Sequence, residues 1–377
     1  MRASTAVAVA LITVLAGATA RAQTIIDTCG QTLDGDGVLM ADLDCSAAAL
    51  PSITFTQNAT LRLNGYTITG EVLSQAAKFE VIGPGTITGP GYGILGEPTL
   101  AAVHGSKVTV QSVNVSDNEL EGISVVAGGH RVSAVVIDSS VTGNGRRGIW
   151  AVATAICAKL GCDPAEKVLV EGSIVSGNAA SGIEASSIDV RSSVIASNGL
   201  HGIYLHNKSV NRKLRLSDSE VSDNGDSGIY VHTVSRARLL IKSSSISRNA
   251  TGINDQSWFH MSMKLKGASL DANGIGIRSD MTLVANQTPR KKLRILDSTI
   301  VNSERGGIRA TYNETFVTLK RTMVANSGGA AECGVIASCA DLDTDVLATL
   351  KPGAVCGTSH VYSSGIPGTS WGICTND

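Results

Sequence analysis

VTVQSVNVSDNELEGISV at residues 108–125, LRLSDSEVSDNGDSGIYV at 214–231 and LLIKSSSISRNATGI at 239–253 are versions of one unit. Each runs through an alternating apolar–polar stretch, a Ser/Asp cluster, an Asn and then Gly-Ile. The Asn recurs as Asn118, Asn144, Asn178, Asn198, Asn224, Asn249 and Asn273, with Ser303 in the same place and Asn326 after it. Spacings of 20 to 34 residues exclude a rigid helical-repeat period, and weaker copies precede at 60–70 and 79–89.

Alternation with period two is a strand signal. No single unit can bury its apolar face alone, but strands stacked on the same strand of the next unit bury a continuous core. The Asn column then has a purpose. Its amides can hydrogen-bond along a tight inner turn whose backbone groups would otherwise be unsatisfied. Gly-Ile starts the next strand, with Gly expected to allow a backbone bend.

These residues resemble the right-handed parallel β-helix of the pectate-lyase-like superfamily. The resemblance implies an all-β, single-stranded solenoid of about eleven rungs with disulfide-stabilised ends, about 50 Å long at about 4.8 Å per rung. It covers 58–327, and Cys29 to Gly70 with LRLNGYTITG looks like the opening of secreted bacterial β-helix proteins. The expected organisation is 1–22 as signal peptide, 23–57 as N-terminal cap, 58–327 as β-helix and 328–377 as a disulfide-containing cap.

Composition agrees. Of 377 residues 43% are hydrophobic and only 17% charged, which excludes a disordered chain. No apolar run reaches the ~18 residues of a membrane span. Arg2, the apolar stretch Ala6 to Leu15 and Ala20-Arg21-Ala22 read as a secretory leader cleaved near Ala22, so the protein is expected to be secreted or periplasmic. The eight cysteines favour disulfides in an exported chain, paired locally as Cys29–Cys45, Cys157–Cys162, Cys333–Cys339 and Cys356–Cys374. A zinc site is the alternative, but the chain has no Cys-x-x-Cys.

The repeat register assigns faces, because after Gly the Ile points inward and the following residue outward. The first outward column reads Ser124, Trp150, Glu184, Tyr204, Tyr230, Asn254, Arg278 and Arg309. The second reads Val126, Val152, Ser186, His206, His232, Gln256, Asp280 and Thr311. The chain has 13 Phe, Trp and Tyr residues, so three in one outward column point to a surface for sugar rings, apolar on their CH faces and polar at their rims. Trp150, Glu184, Tyr204, His206, Tyr230, His232, Arg278 and Arg309 are the candidate binding residues. Aromatic neighbours that merely stabilise a sheet are the alternative.

The turns beside that face carry Glu119, Glu121, Arg146, Arg147, His201, Asp226, Glu304 and Arg305. LHGIYL at 200–205 resembles the Gly-His-Gly-Ile strand of polygalacturonase-type glycosidases, with Leu200 in place of the first Gly. The Asp-Asp pair, Asn-Thr-Asp and Arg-Ile-Lys of that family are absent. So are the Arg-rich pattern of pectate lyases and the Asp-Pro-His-Asp of alginate epimerases. An acid/base set of His201, Asp226 and Arg147 remains as the candidate catalytic group. A lyase acting on uronic acids needs a base for the proton alpha to the carboxylate and a cation for the developing charge.

Another face carries Arg191, Lys213, Arg215, Arg238, Lys242, Lys264, Lys266, Lys292 and Arg294. Residues 207–310 hold 17 Lys and Arg against 9 Asp and Glu. Stacked like charges repel, and a polyanion relieves them; outside the cell that points to acidic polysaccharide rather than nucleic acid. A guard against solenoid association is the alternative. No cofactor is expected: Asp34-Gly35-Asp36-Gly37 hints at Ca²⁺ but lacks the ligand spacing of a calcium loop. The sequence thus reads as a secreted β-helix that binds, and is a candidate to cleave, an acidic polysaccharide. The alternative is a non-catalytic structural or adhesin-like protein.

Overall fold

A computed structural model describes residues 23–98, 105–128, 131–153, 165–206, 211–233, 236–257, 260–279, 291–304, 306–311 and 315–325. It also describes the C-terminal strand residues 348–350, 355–356, 359–363 and 370–375. Among them every helix or strand is strand, arranged in three sheets of 14, 13 and 14 strands. One rung shows the path: Asn211–Ser217 in the first sheet, Glu220–Ser222 in the second and Ser227–Val231 in the third. Each strand pairs in parallel with its counterpart one rung away. The chain is a right-handed parallel β-helix.

Alternation explains the core. Leu214 and Leu216 stack in register on Leu239 and Ile241, and these on Met263 and Leu265. All are buried. The short second-sheet strands each turn one aliphatic side chain inward, as with Val221, Ile246 and Leu270. The Ile of each Gly-Ile does the same in the third sheet, with Ile203 on Ile229 on Ile253. A fully buried side chain of this size stabilises by about 1.5–3 kcal/mol relative to an exposed one.

The Asn column is an unbroken ladder from Asn118 to Asn273. Each Nδ2 donates to Oδ1 of the next Asn at 2.7–3.1 Å. The residue before each ladder position is left-handed: Asp117, Ser197, Asp223, Arg248, Ala272 and Asn302 have φ between 51° and 57°, and Gly143 and Gly177 take the same place. Non-glycine residues pay about 1–2 kcal/mol for that conformation. The amide ladder just behind them offsets it.

The Gly of Gly-Ile has a different reason from the expected bend. Gly202 and Gly228 are absent from the positive-φ residues, but their α-carbons lie flat against the ladder. A Cβ on Gly202 would stand 2.8 Å from Nδ2 of Asn224 and 2.8 Å from the carbonyl of Gly228. Close approach, not backbone freedom, requires glycine there.

A second ladder, of serines, lines the corner between the first and second sheets. The backbone N–H groups of Ser139, Ser173, Ser193 and Ser219 donate to Oγ of Ser173, Ser193, Ser219 and Ser244 at 3.1–3.2 Å. Each of these hydroxyls also donates to the carbonyl two residues back, so corner donors and acceptors are met together.

The sheets begin at Thr24, so the segment expected as a cap supplies their first strands. The Cys29–Cys45 disulfide ties that end. At the other end Ser359–Ser363 and Ser370–Thr375 form an antiparallel hairpin laid on Ile308–Thr311, which occupies the open edge of the third sheet. Residues 1–22, the Cys157–Cys162 and Cys333–Cys339 pairings, Asn326 and Arg305 lie outside the described residues, as do the side chains of Cys356 and Cys374.

Candidate functional site

Two columns build the site on the third sheet. The first column keeps its expected register: Ser124, Trp150, Glu184, Tyr204, Tyr230, Asn254, Arg278 and Arg309 are consecutive partners, although Ser124 and Asn254 are buried rather than exposed. Beside it runs the residue just before each Gly-Ile, namely Glu121, Arg147, Ser181, His201 and Ser227. Their carbonyls accept from the glycine N–H one rung away, which aligns them vertically. The ladder Asn, three residues earlier in each of these turns, anchors this column.

Arg147 is the hub at one end. Its Nη1 donates to Glu121 Oε1 at 3.0 Å, its Nε donates to Glu184 Oε2, and its guanidinium lies 4.8 Å from the Trp150 ring centroid. Glu121 is 1% exposed, and its Oε2 is buried with no hydrogen-bond partner among the described residues. Glu184 is also buried, so neither carboxylate is a free rim group. The sequence offers Arg147 as a cation for a substrate's charge, whereas the structure commits it to two acids and an indole.

An aromatic cluster occupies the other end. The His201 ring stacks on Tyr230 at 4.3 Å and meets Tyr204 edge-on at 5.6 Å, while Tyr204 and Tyr230 are 5.1 Å apart. The Tyr230 hydroxyl donates to Oε1 of Gln256 at 2.9 Å, and His232 sits 6.2 Å from the Tyr230 ring. Asp226, half exposed, places Oδ2 3.6 Å from Nδ1 of His201, beyond a hydrogen bond but within an ion pair's reach.

Burial lowers the His201 pKa, and Asp226 only partly opposes this, so the imidazole is held neutral. Burial also pushes the Tyr204 phenol up to about 12, with Glu184's charge adding to it and Arg147's acting against it. Tyr230 is raised chiefly by burial, then by Asp226, while Arg278 pulls it down. The cluster therefore presents a neutral imidazole able to accept a proton beside two phenols that are protonated at neutral pH.

The second outward column departs from expectation. His206 turns into the protein, with Nε2 3.3 Å from the fully buried Glu166 Oε2. Arg212 donates to its carbonyl at 2.7 Å. Val152 and Ser186 are buried too. At Ser186 the reason is local: strand Ile183–Ala185 is separated from Ser187–Arg191 by this one residue, so the corner has no outward step. His232, Gln256 and Arg278 stay partly exposed. Arg309 follows Arg278 in register, while its side chain, Asp280 and the side chain of Thr311 lie outside the described residues.

Glu121 was visible only as one of many turn residues. The signal that singles it out is its place immediately before Gly-Ile, shared with Arg147 and His201.

A family model described as right handed beta helix region matches residues 184–341. Among solved structures, the A-module of the mannuronan C-5 epimerase AlgE6 from Azotobacter vinelandii superposes with a TM-score of 0.54 at 16% identity, covering 85% of this chain and 90% of that chain. The A-module of mannuronan C-5 epimerase AlgE4 from the same organism gives 0.55 at 13%, covering 86% and 91%. No curated protein matches the chain. At these identities the likeness is one of fold.

Proposed function

We propose that this right-handed parallel β-helix is exported and binds an acidic polysaccharide along the third sheet, with sugar rings lying on Tyr204 and Tyr230. The observation that carries the reading is the unbroken run of Trp150, Glu184, Tyr204 and Tyr230 over four successive rungs, with His201 stacked at its edge. Aromatic faces take the apolar side of a sugar ring, and carboxylates and amides take its hydroxyls. That the two solved neighbours are mannuronan epimerase modules is in keeping with a polymeric uronate. Turnover would use neutral His201 as base, with Asp226 within ion-pair reach of the imidazolium that forms and the protonated Tyr204 hydroxyl as donor to the leaving oxygen.

The test incubates the chain from Gln23 onward with pectate, alginate, hyaluronan and neutral glucans, following binding together with new unsaturated and reducing ends. Tyr204→Ala combined with Tyr230→Ala should weaken binding roughly tenfold or more. Unchanged affinity rules the face out. Product that disappears in His201→Ala makes the protein an enzyme, and unsaturated ends make it a lyase.

A second reading, a non-catalytic spacer or adhesin, is favoured by the engagement of Arg147 with Glu121 and Glu184, which commits the candidate catalytic cation to the protein's own acids. A protein partner recovered from the native cell surface, with no glycan bound, supports it.

A further inference from the structure

The first sheet is the other candidate surface. Four consecutive strands, Asn211–Ser217, Arg236–Lys242, Met261–Lys266 and Lys291–Leu296, contain no Asp or Glu. With Arg236 at its border, the exposed positions carry nine cations, adding Lys213, Arg215, Arg238, Lys242, Lys264, Lys266, Lys292 and Arg294. None of the nine forms an ion pair among the described residues. Two neighbouring acids are already engaged by other arginines: Asp297 at the sheet corner by Arg321, and Asp189, beside Arg215 on the adjoining strand, by Arg191.

Register makes the arrangement costly. Lys213 lies directly beside Arg238, Lys242 beside Lys266, and Lys264 beside Arg294. Directly opposed like charges are destabilising, each by some tenths of a kcal/mol. Protection of a sheet edge does not explain them, since these strands are interior to a 14-stranded sheet and paired on both sides.

One position breaks the cationic rows in a useful way. Ser262 falls between Arg238 and Lys292, leaving a recess of about 260 Å³ bordered by Arg236, Arg238, His260 and Lys292. A small anionic substituent projecting from a polymer fits between those cations.

We propose that this cationic face is a second binding surface, for a polysaccharide bearing carboxylate or sulfate groups, with one such group seated at Ser262. It goes beyond the aromatic-face reading and does not depend on it. The chemistry favours saccharide over other polyanions. The four strands contain no Phe, Tyr or Trp on which unpaired bases could stack. The exposed large apolar side chains Ile25, Met40, Leu50, Ile174, Leu200 and Met323 all lie elsewhere, and half-buried Leu240, between Arg215 and Lys264, is too little apolar surface to anchor the face in a bilayer.

The test measures binding of the folded chain to alginate, heparin, a neutral glucan, single- and double-stranded DNA, and phosphatidylserine vesicles, across a salt series. The variants are Lys213→Glu with Arg238→Glu and Lys264→Glu combined, Ser262→Leu, which fills the recess without changing charge, and the Tyr204→Ala/Tyr230→Ala pair. The expected result is salt-sensitive binding of alginate or heparin, weakened about tenfold or more by the charge reversals. Ser262→Leu should weaken it severalfold, and the tyrosine pair should still show this salt-sensitive component. Undiminished binding in the charge-reversed or Ser262→Leu variant overturns the assignment. So does DNA or vesicle binding tighter than saccharide binding at equal salt. Loss of the salt-sensitive component in the tyrosine pair alone would return the ligand to the third sheet.

Discussion

The outward face of the third sheet from Trp150 to Tyr230 and that of the first from Lys213 to Arg294 follow the same register rule. They solve opposite problems. On the third sheet, neighbours one rung apart attract: Arg147 bridges Glu121 to Glu184 over an indole, and His201 packs on Tyr230. On the first, neighbours one rung apart repel and stay in water. The difference teaches that a solenoid can carry both an interlocked surface, where each side chain also holds rungs together, and a surface whose side chains add nothing to the fold. Residues of the second kind are the clearer sign of a binding role, because stability does not account for them.

The sharpest contrast should come from Arg147→Met. It leaves buried Glu121 without its cation, and breaking such pairs costs about 3–5 kcal/mol when fully buried. Arg147 is 30% exposed, so about 2–3 kcal/mol is expected, read from the shift in the urea midpoint. Adding Glu121→Gln should recover part of the loss. A cost near zero would erase the distinction between the two faces.

Acid should probe the interlocked face next. The folded His201 pKa lies below its ordinary 6.5, so near and below that pH the unfolded chain binds the proton more readily. Its contribution is therefore complete above about pH 6.5 and is lost as pH falls through the lowered folded value. Denaturation midpoints of the wild type should fall more steeply in this window than those of His201→Gln. Parallel slopes would mean that the ring is not held neutral.

Alkali tests the same cluster from the other side. Tyr204 keeps its proton up to about 12 against an ordinary 10.0, so its contribution is whole below pH 10 and declines as pH rises towards 12. The phenolate absorbance lost in Tyr204→Phe should titrate late. Titration near 10 would place the ring in open water.

The smallest effect belongs to the cationic face. Lys264→Ser removes a charge beside Arg294 and should raise stability by a few tenths of a kcal/mol at low salt, fading as salt is added. A loss of stability instead would show that the lysine is part of the fold.

Much of this molecule was readable in one dimension. The Asn ladder, the inward aliphatic positions, the outward column from Trp150 to Tyr230, the Cys29–Cys45 bridge and the run of cations follow from alternation, recurrence and local spacing. Those are properties of the chain itself, set by the pleat and by the need to satisfy an inner turn. The engagement of Arg147 by Glu121 and Glu184 was not readable, because its members lie 26 and 37 residues apart and meet only when rungs stack. The serine ladder hid in the same way, as did the Lys291–Asp255 ion pair, buried at 2.8 Å and joined by the Ser279 hydroxyl.

His206 shows the remaining limit, since its period-two position points outward while the ring lies buried against Glu166, 40 residues away in sequence. Sequence alone determined the period-two alternation along the strands, because the pleat is local, although Ser124, Val152 and Asn254 at outward positions are covered by their neighbours. Tertiary structure decided which outward residues become partners, because that depends on how many residues each corner inserts between one rung and the next.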